Sequence, residues 1–260
     1  MTAPIARSQL PEPGPRPQLS LVFPVCDEVD NLDVLVENTV DIATRLCRDF
    51  EIVLVDDGSR DGSSERIDAL CARDARVHSL RHASNRGYGA ALRSGLGFAR
   101  GQLVFFSDAD LQFDLAELEK LLNHTDRFDI VAGYRSPRRD PWPRTLIAFG
   151  WGVLVRVLFG LRVRDIDCAF KVFHRRVLEA IPIASLGAFV NTEILARALA
   201  AGYRIHQVPV THRRRRFGTQ SGARPRVILH AVRELWTLFR ELRIARSRAR
   251  DPAERRCASS

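Results

Sequence analysis

Lysine is nearly missing from this chain. Lys120 and Lys171 are the only two in 260 residues, so almost all of the 40 basic side chains are arginine. Cysteine is sparse and shows no pairing pattern. Cys26, Cys47, Cys71, Cys168 and Cys257 form an odd set without a C-x-x-C, which excludes a zinc ribbon and argues against a disulfide framework. A reducing compartment fits that usage. Long apolar runs are lacking too. The longest, residues 145–160, is broken by Arg156 and is too short to span a bilayer, and the first residues hold no apolar signal core. Neither a spanning helix nor a secretory leader is expected. Several catalytic signatures are also missing. Without G-x-G-x-x-G after the first apolar run, a dinucleotide-binding site is disfavoured. Without G-x-x-x-x-G-K-[ST], G-x-S-x-G or H-E-x-x-H, a P-loop, a nucleophile elbow and a zincin helix are excluded.

What is present is an ordinary globular balance, 45% hydrophobic and 27% charged. That rules out wholesale disorder and collagen-like repeats. Charge is the unusual quantity: the net value is +9 and the pI about 10.1. The excess is local, with 15 Arg against 4 acids in residues 204–260. A near-neutral body with a basic tail suggests an anionic partner, either a membrane surface or a phosphorylated substrate. Nucleic acid is not expected, because no aromatics interleave with the basic run and the acidic segments described below would repel it.

Repeated prolines at 4, 11, 13, 15 and 17 mark residues 1–18 as an extended, disordered arm. Residues 247–260 read as a polar, disordered tail. Between them, strands are expected at 19–25, 50–55, 77–80, 102–106 and 129–132. Helices are expected at 29–47, 63–76, 89–99 and 115–123. Strict alternation of this kind predicts a parallel sheet covered by helices. The second half is less regular: a helix at 145–160, a strand at 169–173, a helix at 192–201, a strand at 204–210 and a long helix at 224–246. The main domain is therefore placed at 19–223.

Ligands of open parallel sheets bind beyond the carboxyl ends of the strands. Three such ends carry carboxylates: Asp27 and Glu28 after the first, Asp56 and Asp57 after the second, Asp108 and Asp110 after the fourth. Closely spaced carboxylates repel unless a cation neutralises them, and hard oxygen ligands suit Mg²⁺ or Mn²⁺. Gln112 adds a neutral oxygen. The same triplet also reads as an acidic turn before a helix capped by Asp114. Asp56-Asp57-Gly58-Ser59 reads either as a tight turn or as a binder of base or ribose.

Seven ordered segments carry a resemblance: "FPVCDEVDNL", "IVLVDDGSRDGS", "NRGYGAALRSG", "FFSDADLQFD", "AGYRSPR", "VRDIDCAFKVF" and "HRRRRFGTQSGARP". Together they resemble the family 2 glycosyltransferases of GT-A fold, in the polyprenyl-phosphate (dolichyl-phosphate mannosyltransferase-like) branch, from about residue 19 to 236. The resemblance implies that Pro24, Glu28, Asp56, Asp57 and Asp108 line a nucleotide pocket. It implies that Asp108, Asp110 and Gln112 hold a Mg²⁺ or Mn²⁺ ion on a nucleotide-sugar diphosphate. Arg135 and Arg144 would grip an acceptor phosphate, with Asp165 close by. Arg215 and Ser221 would belong to a loop closing over the diphosphate. Three positions depart from the pattern. Asp27 stands where Asn is usual, and Ala169 and Lys171 replace the Gly and Arg that usually flank the Phe170 position.

The implied reaction is inverting, metal-dependent transfer of a sugar, from GDP-mannose or a UDP-hexose, to a membrane polyprenyl monophosphate. An acceptor phosphate is already an anion near neutral pH, so no strong base is needed. A hydroxyl acceptor would need one, and Asp165 or Asp167 would then be the candidate. The lipid acceptor implies a peripheral protein on the cytoplasmic membrane face. Two helices could make that contact. In residues 224–246, Ile228, Ala231, Leu235, Leu238, Phe239 and Leu242 recur at helical spacing among arginines. Residues 142–159 carry Trp142, Phe149, Trp151 and Phe159. Either helix could instead pack on the domain or on a separate membrane-protein partner.

Overall fold

The computed structural model describes residues 16–137, 142–213 and 225–250. In chain order the elements are β1 (Leu19–Val25), α1 (Val29–Leu46), β2 (Phe50–Asp56), α2 (Ser63–Arg73), β3 (Val77–Arg81), α3 (Tyr88–Phe98) and β4 (Leu103–Ser107). Then follow α4 (Leu118–Leu122), β5 (Ile130–Arg135), α5 (Trp142–Phe159), β6 (Phe170–His174), α6 (Arg175–Ala180), α7 (Val190–Ala200), β7 (Ile205–Val210) and α8 (Pro225–Arg250). The helix expected at 115–123 is split. A 3-10 turn at Leu115–Glu117, capped by Asp114 through the Ala116 amide, leads into the short α4.

The seven strands form one sheet in the order β3-β2-β1-β4-β6-β5-β7. Every strand is parallel to its fellows except β6, which runs antiparallel between β4 and β5. The central strands β1, β2 and β4 read as nearly continuous apolar runs because both faces are covered. All seven residues of β2 are buried. Buried Glu51 in that strand accepts from Ser20 Oγ at 2.6 Å and from Arg100 Nε at 3.0 Å, which ties β1 and β2 to the approach of β4. Pro17 and Gln18 already join this layer, since their carbonyls accept from the amides of Gln102 and Leu103. Residues 1–15 of the proline-rich segment lie outside the described residues, as do 251–260 of the tail.

α3 lies close on the sheet because of Gly95. A Cβ there would sit 2.4 Å from Val22 Cγ1 and 2.8 Å from Val55 Cγ2. α8 buries Leu235 and Leu238 on the domain and sets Phe239 edge-on to Phe159 of α5, with ring centroids 6.2 Å apart. Arg197 of α7 reaches Glu241 at 2.7 Å. From Ala231 to Leu242 the apolar stripe of α8 therefore faces the protein. Its outer face carries Arg233, Trp236, Arg240, Arg243 and Ile244. Among the described residues, no helix is long and apolar enough to cross a membrane.

Candidate active site

The carboxyl ends of β1, β2 and β4 meet on one rim. The reversed β6 brings a fourth segment there, because Phe170 at its start pairs with Ser107 at the end of β4. The 165–169 turn thus lies beside Asp108 and Asp110. Arg135 ends β5 on the same rim.

Asp56 and Asp57 are buried, and the protein's own donors take up their carboxylates. Asp56 Oδ1 accepts from the Ser59 amide at 2.9 Å, and its Oδ2 accepts from Ser64 Oγ. This is the turn geometry that Asp and Ser favour. Asp57 Oδ1 meets His82 Nδ1 at 2.6 Å and the Arg86 amide at 2.9 Å, while Oδ2 takes the Gly87 amide at 2.8 Å. Both carboxylates hold loops in place. Gly58, at φ +71°, completes that packing, since a Cβ would meet the Asn85 and Ser84 backbone at 2.6 Å. Glu28 Oε2 accepts from Asn31 Nδ2 at 2.6 Å, and Pro24 is paired in β1 opposite Val55.

Asp108 and Asp110 differ from these. Asp108 keeps some exposure as a residue, yet its Oδ1 is shut off from solvent and has no hydrogen-bond partner. Burial, and then the Asp110 carboxylate, push its pKa up from 3.8 to about 7. Asp110 is buried, and its Oδ1 accepts from the Gln112 amide at 3.1 Å. Gln112 Nε2 donates to the Arg213 carbonyl at 3.0 Å, so the root of the four-arginine run is tied to this loop. Among the described residues, no three His, Cys, Asp or Glu side chains gather as a metal cage. Two carboxylates and a neutral oxygen still suit an ion whose other ligands are water and substrate phosphate, the usual manner of Mg²⁺. A buried carboxylate oxygen without a partner fits that donor set.

Arg135 does not present an uncommitted guanidinium. Its Nε and Nη2 fork onto Asp165 at 2.6 and 2.8 Å, with both side chains 7% exposed. Arg144 lies in the first turn of α5. Arg215 and Ser221 lie outside the described residues. Asp167 is exposed on the same turn as Asp165. Cys168 is buried, and burial pushes its thiol up to about 12, which removes it as a nucleophile. His174 Nε2 is held by the Thr125 carbonyl at 2.6 Å, and His212 packs on Phe113.

Three side chains beneath the rim were given no role by the sequence, though Lys171 stood out as a departure from the family pattern. Lys171 is 1% exposed, and its Nζ donates to the carbonyls of Ile166 (3.1 Å) and Cys168 and to Asn191 Oδ1 (2.8 Å). Asn191 opens α7. The Tyr88 hydroxyl is buried beside both Asn191 and Asp108, short of a well-formed hydrogen bond to either. One signal was readable: a lysine inside "AFKVF", in a chain with only two lysines, has to be paired when that strand is buried.

A mostly parallel sheet with carboxylates at its strand ends is the GT-A arrangement. The chain belongs to glycosyl transferase family 2, whose family model matches residues 20–181. It is 31% identical over 205 residues to the undecaprenyl-phosphate 4-deoxy-4-formamido-L-arabinose transferase of Pectobacterium atrosepticum, which covers 77% of this chain and 61% of that protein. This chain therefore spans about three-fifths of that relative's length. Among solved structures it resembles glucosyl-3-phosphoglycerate synthase from Mycobacterium tuberculosis in complex with Mn²⁺, UDP and phosphoglyceric acid. That match has a TM-score of 0.62 at 20% identity, over 87% of this chain and 76% of the other. The same enzyme with Mg²⁺ and UDP gives a TM-score of 0.60 at 21% identity, over 87% and 76%. At this identity the likeness establishes the fold.

Proposed function

We propose that this enzyme transfers a sugar from a nucleotide-diphosphate sugar, GDP-mannose or a UDP-hexose, to a polyprenyl monophosphate at a membrane surface, with inversion. The carrying observation is the Asp108–Asp110 pair, with its buried, unpartnered oxygen, set beside the Arg135–Asp165 fork. Asp108, Asp110 and the Gln112 side chain would hold Mg²⁺ or Mn²⁺, which when bound offsets charge building on the diphosphate leaving group. Pro24, Glu28 and the loops held by Asp56 and Asp57 shape the nucleotide pocket. Arg215 and Ser221 belong to the segment that follows Arg213 and would close over the diphosphate.

Asp165 fixes the plane of the Arg135 guanidinium. Arg135 and Arg144 orient the acceptor phosphate and offset its repulsion from the donor. That acceptor is an anion near neutral pH and attacks without a base. α5 carries Arg144 in its first turn and, further along, an exposed stripe: Phe149 at 70% and Val157 at 76%, with Val153 between them. Such a stripe suits the boundary of a bilayer that supplies the lipid. The outer face of α8, with Trp236, Arg240 and Arg243, adds a basic surface toward anionic lipid.

A hydroxyl acceptor on a glycan is the second reading. It needs a base, for which Asp165 or Asp167 is the candidate. The test is turnover with vesicles carrying polyprenyl phosphate, Mg²⁺ or Mn²⁺, and labelled GDP- and UDP-sugars. Label in an organic-extractable, mild-acid-labile lipid supports the proposal. Metal-dependent nucleotide binding with no lipid product from any donor overturns the lipid acceptor.

A further inference from the structure

Hydrogen-bond direction runs one way through the buried groups under the rim. The Lys171 ammonium has donors only, so the Asn191 atom 2.8 Å from it is the carbonyl oxygen. The other end of that amide is then Nδ2, a donor, and Tyr88 lies beside Asn191. A phenol that takes a donor on its oxygen has one O–H left to give. Asp108 lies beside that hydroxyl, and its Oδ1 is buried without a hydrogen bond. An ionised carboxylate offers about four lone-pair sites, so one O–H can fix its rotation and leave the rest for a cation.

We infer that, when the divalent ion is held, Lys171, Asn191 and Tyr88 close into a directional chain that positions the Asp108 carboxylate, with Tyr88 as the positioning residue beside it; in the fold as it stands only the Lys171–Asn191 link is made. This inference rests on the metal reading above. It also explains why Lys171 and Asn191 are buried beneath the rim together with the Tyr88 hydroxyl. Lys171 stitches the 165–168 turn through the Ile166 and Cys168 carbonyls. The same ammonium therefore sets both the turn that carries Asp165 and the orientation of Asn191.

Without the ion the Tyr88 hydroxyl is buried and lacks a well-formed hydrogen bond, so its removal should not weaken folding. That separates a positioning role from a structural one. The experiment titrates Mn²⁺ by electron paramagnetic resonance on the full chain, with UDP or GDP present, and records thermal stability in parallel. Tyr88→Phe is expected to lower Mn²⁺ affinity by about 10–100-fold, the usual effect of losing a group that orients a metal ligand, with unchanged or raised melting temperature. Asn191→Asp still accepts from Lys171 and cannot donate to Tyr88, so it should lower Mn²⁺ affinity in the same range. Wild-type Mn²⁺ affinity in Tyr88→Phe overturns the chain while leaving the metal reading intact. A loss of Mn²⁺ affinity that only accompanies a lowered melting temperature in both variants overturns it as well. Absence of Mn²⁺ binding by the wild-type protein with either nucleotide overturns both readings together.

Discussion

Arg135 and Asp165 are bound to each other by two parallel hydrogen bonds, 2.6 and 2.8 Å long, almost wholly out of solvent. Removing one partner of such a pair leaves an uncompensated buried charge, which costs about 3–5 kcal/mol. Arg135→Met and Asp165→Leu should each lose that much in urea unfolding. The double variant should recover most of the loss while remaining inactive. Equal destabilisation by the double variant and either single would show that the fork matters for more than its own charge balance.

Asp110→Ala removes one of the two carboxylates at the end of β4. Turnover should fall by about a hundredfold or more, in the range seen when a preorganised electrostatic group is deleted. Circular dichroism should be unchanged. Turnover within a few-fold of wild type would remove Asp110 from the metal site.

Asp108 gives a pH signature whose sign is set by its environment. Its pKa rises from 3.8 to about 7, through burial and then through Asp110. Between those values the folded state keeps a proton that the unfolded chain releases. Stability from this group is present below about pH 4 and is lost as pH rises through 7. The stability difference between Asp108→Asn and wild type should therefore widen in favour of Asn across that window. Denaturant midpoints at pH 5 and pH 8 test it, and a difference that shrinks would refute the assignment.

On α5 and α8, stability and membrane contact should separate. Leu238 is buried and Trp236 beside it is exposed. Leu238→Ala should cost about 2–5 kcal/mol of stability. Trp236→Glu and Val157→Glu should leave the melting temperature unchanged. Each should lower partition onto anionic vesicles by about tenfold or more, since a buried apolar side chain is worth about 1.5–3 kcal/mol. Co-sedimentation equal to wild type would return both faces to another role.

The strands were legible because their apolar runs are continuous and their polar ends abrupt; "IVLVDDGS" states both. The direction of β6 was not, since "AFKVF" reads the same whichever way it runs, and only its pairing with β4 reverses it. The carboxylates of the rim were legible as a group, but their partners were not. His82, which holds Asp57, is 25 residues away, and Asn191, which meets Lys171, is 20. Periodicity put an apolar stripe on 224–246. It could not say that Leu235 and Leu238 are buried on the protein while Phe239 meets Phe159, because a helix pattern does not name what covers it.

The reversed β6 also sets an order of assembly. Until it arrives, β4 is an open edge that displays Phe105 and Phe106, a ready template for pairing with another chain. About 60 residues separate Asp110 from Lys171, so at a synthesis rate of about 5–20 residues per second the nascent chain carries that edge for several seconds. Both phenylalanines pair into β6 when it docks, Phe106 directly opposite Lys171. Lys171, which stitches the 165–168 turn, is therefore carried by the strand that closes this open edge.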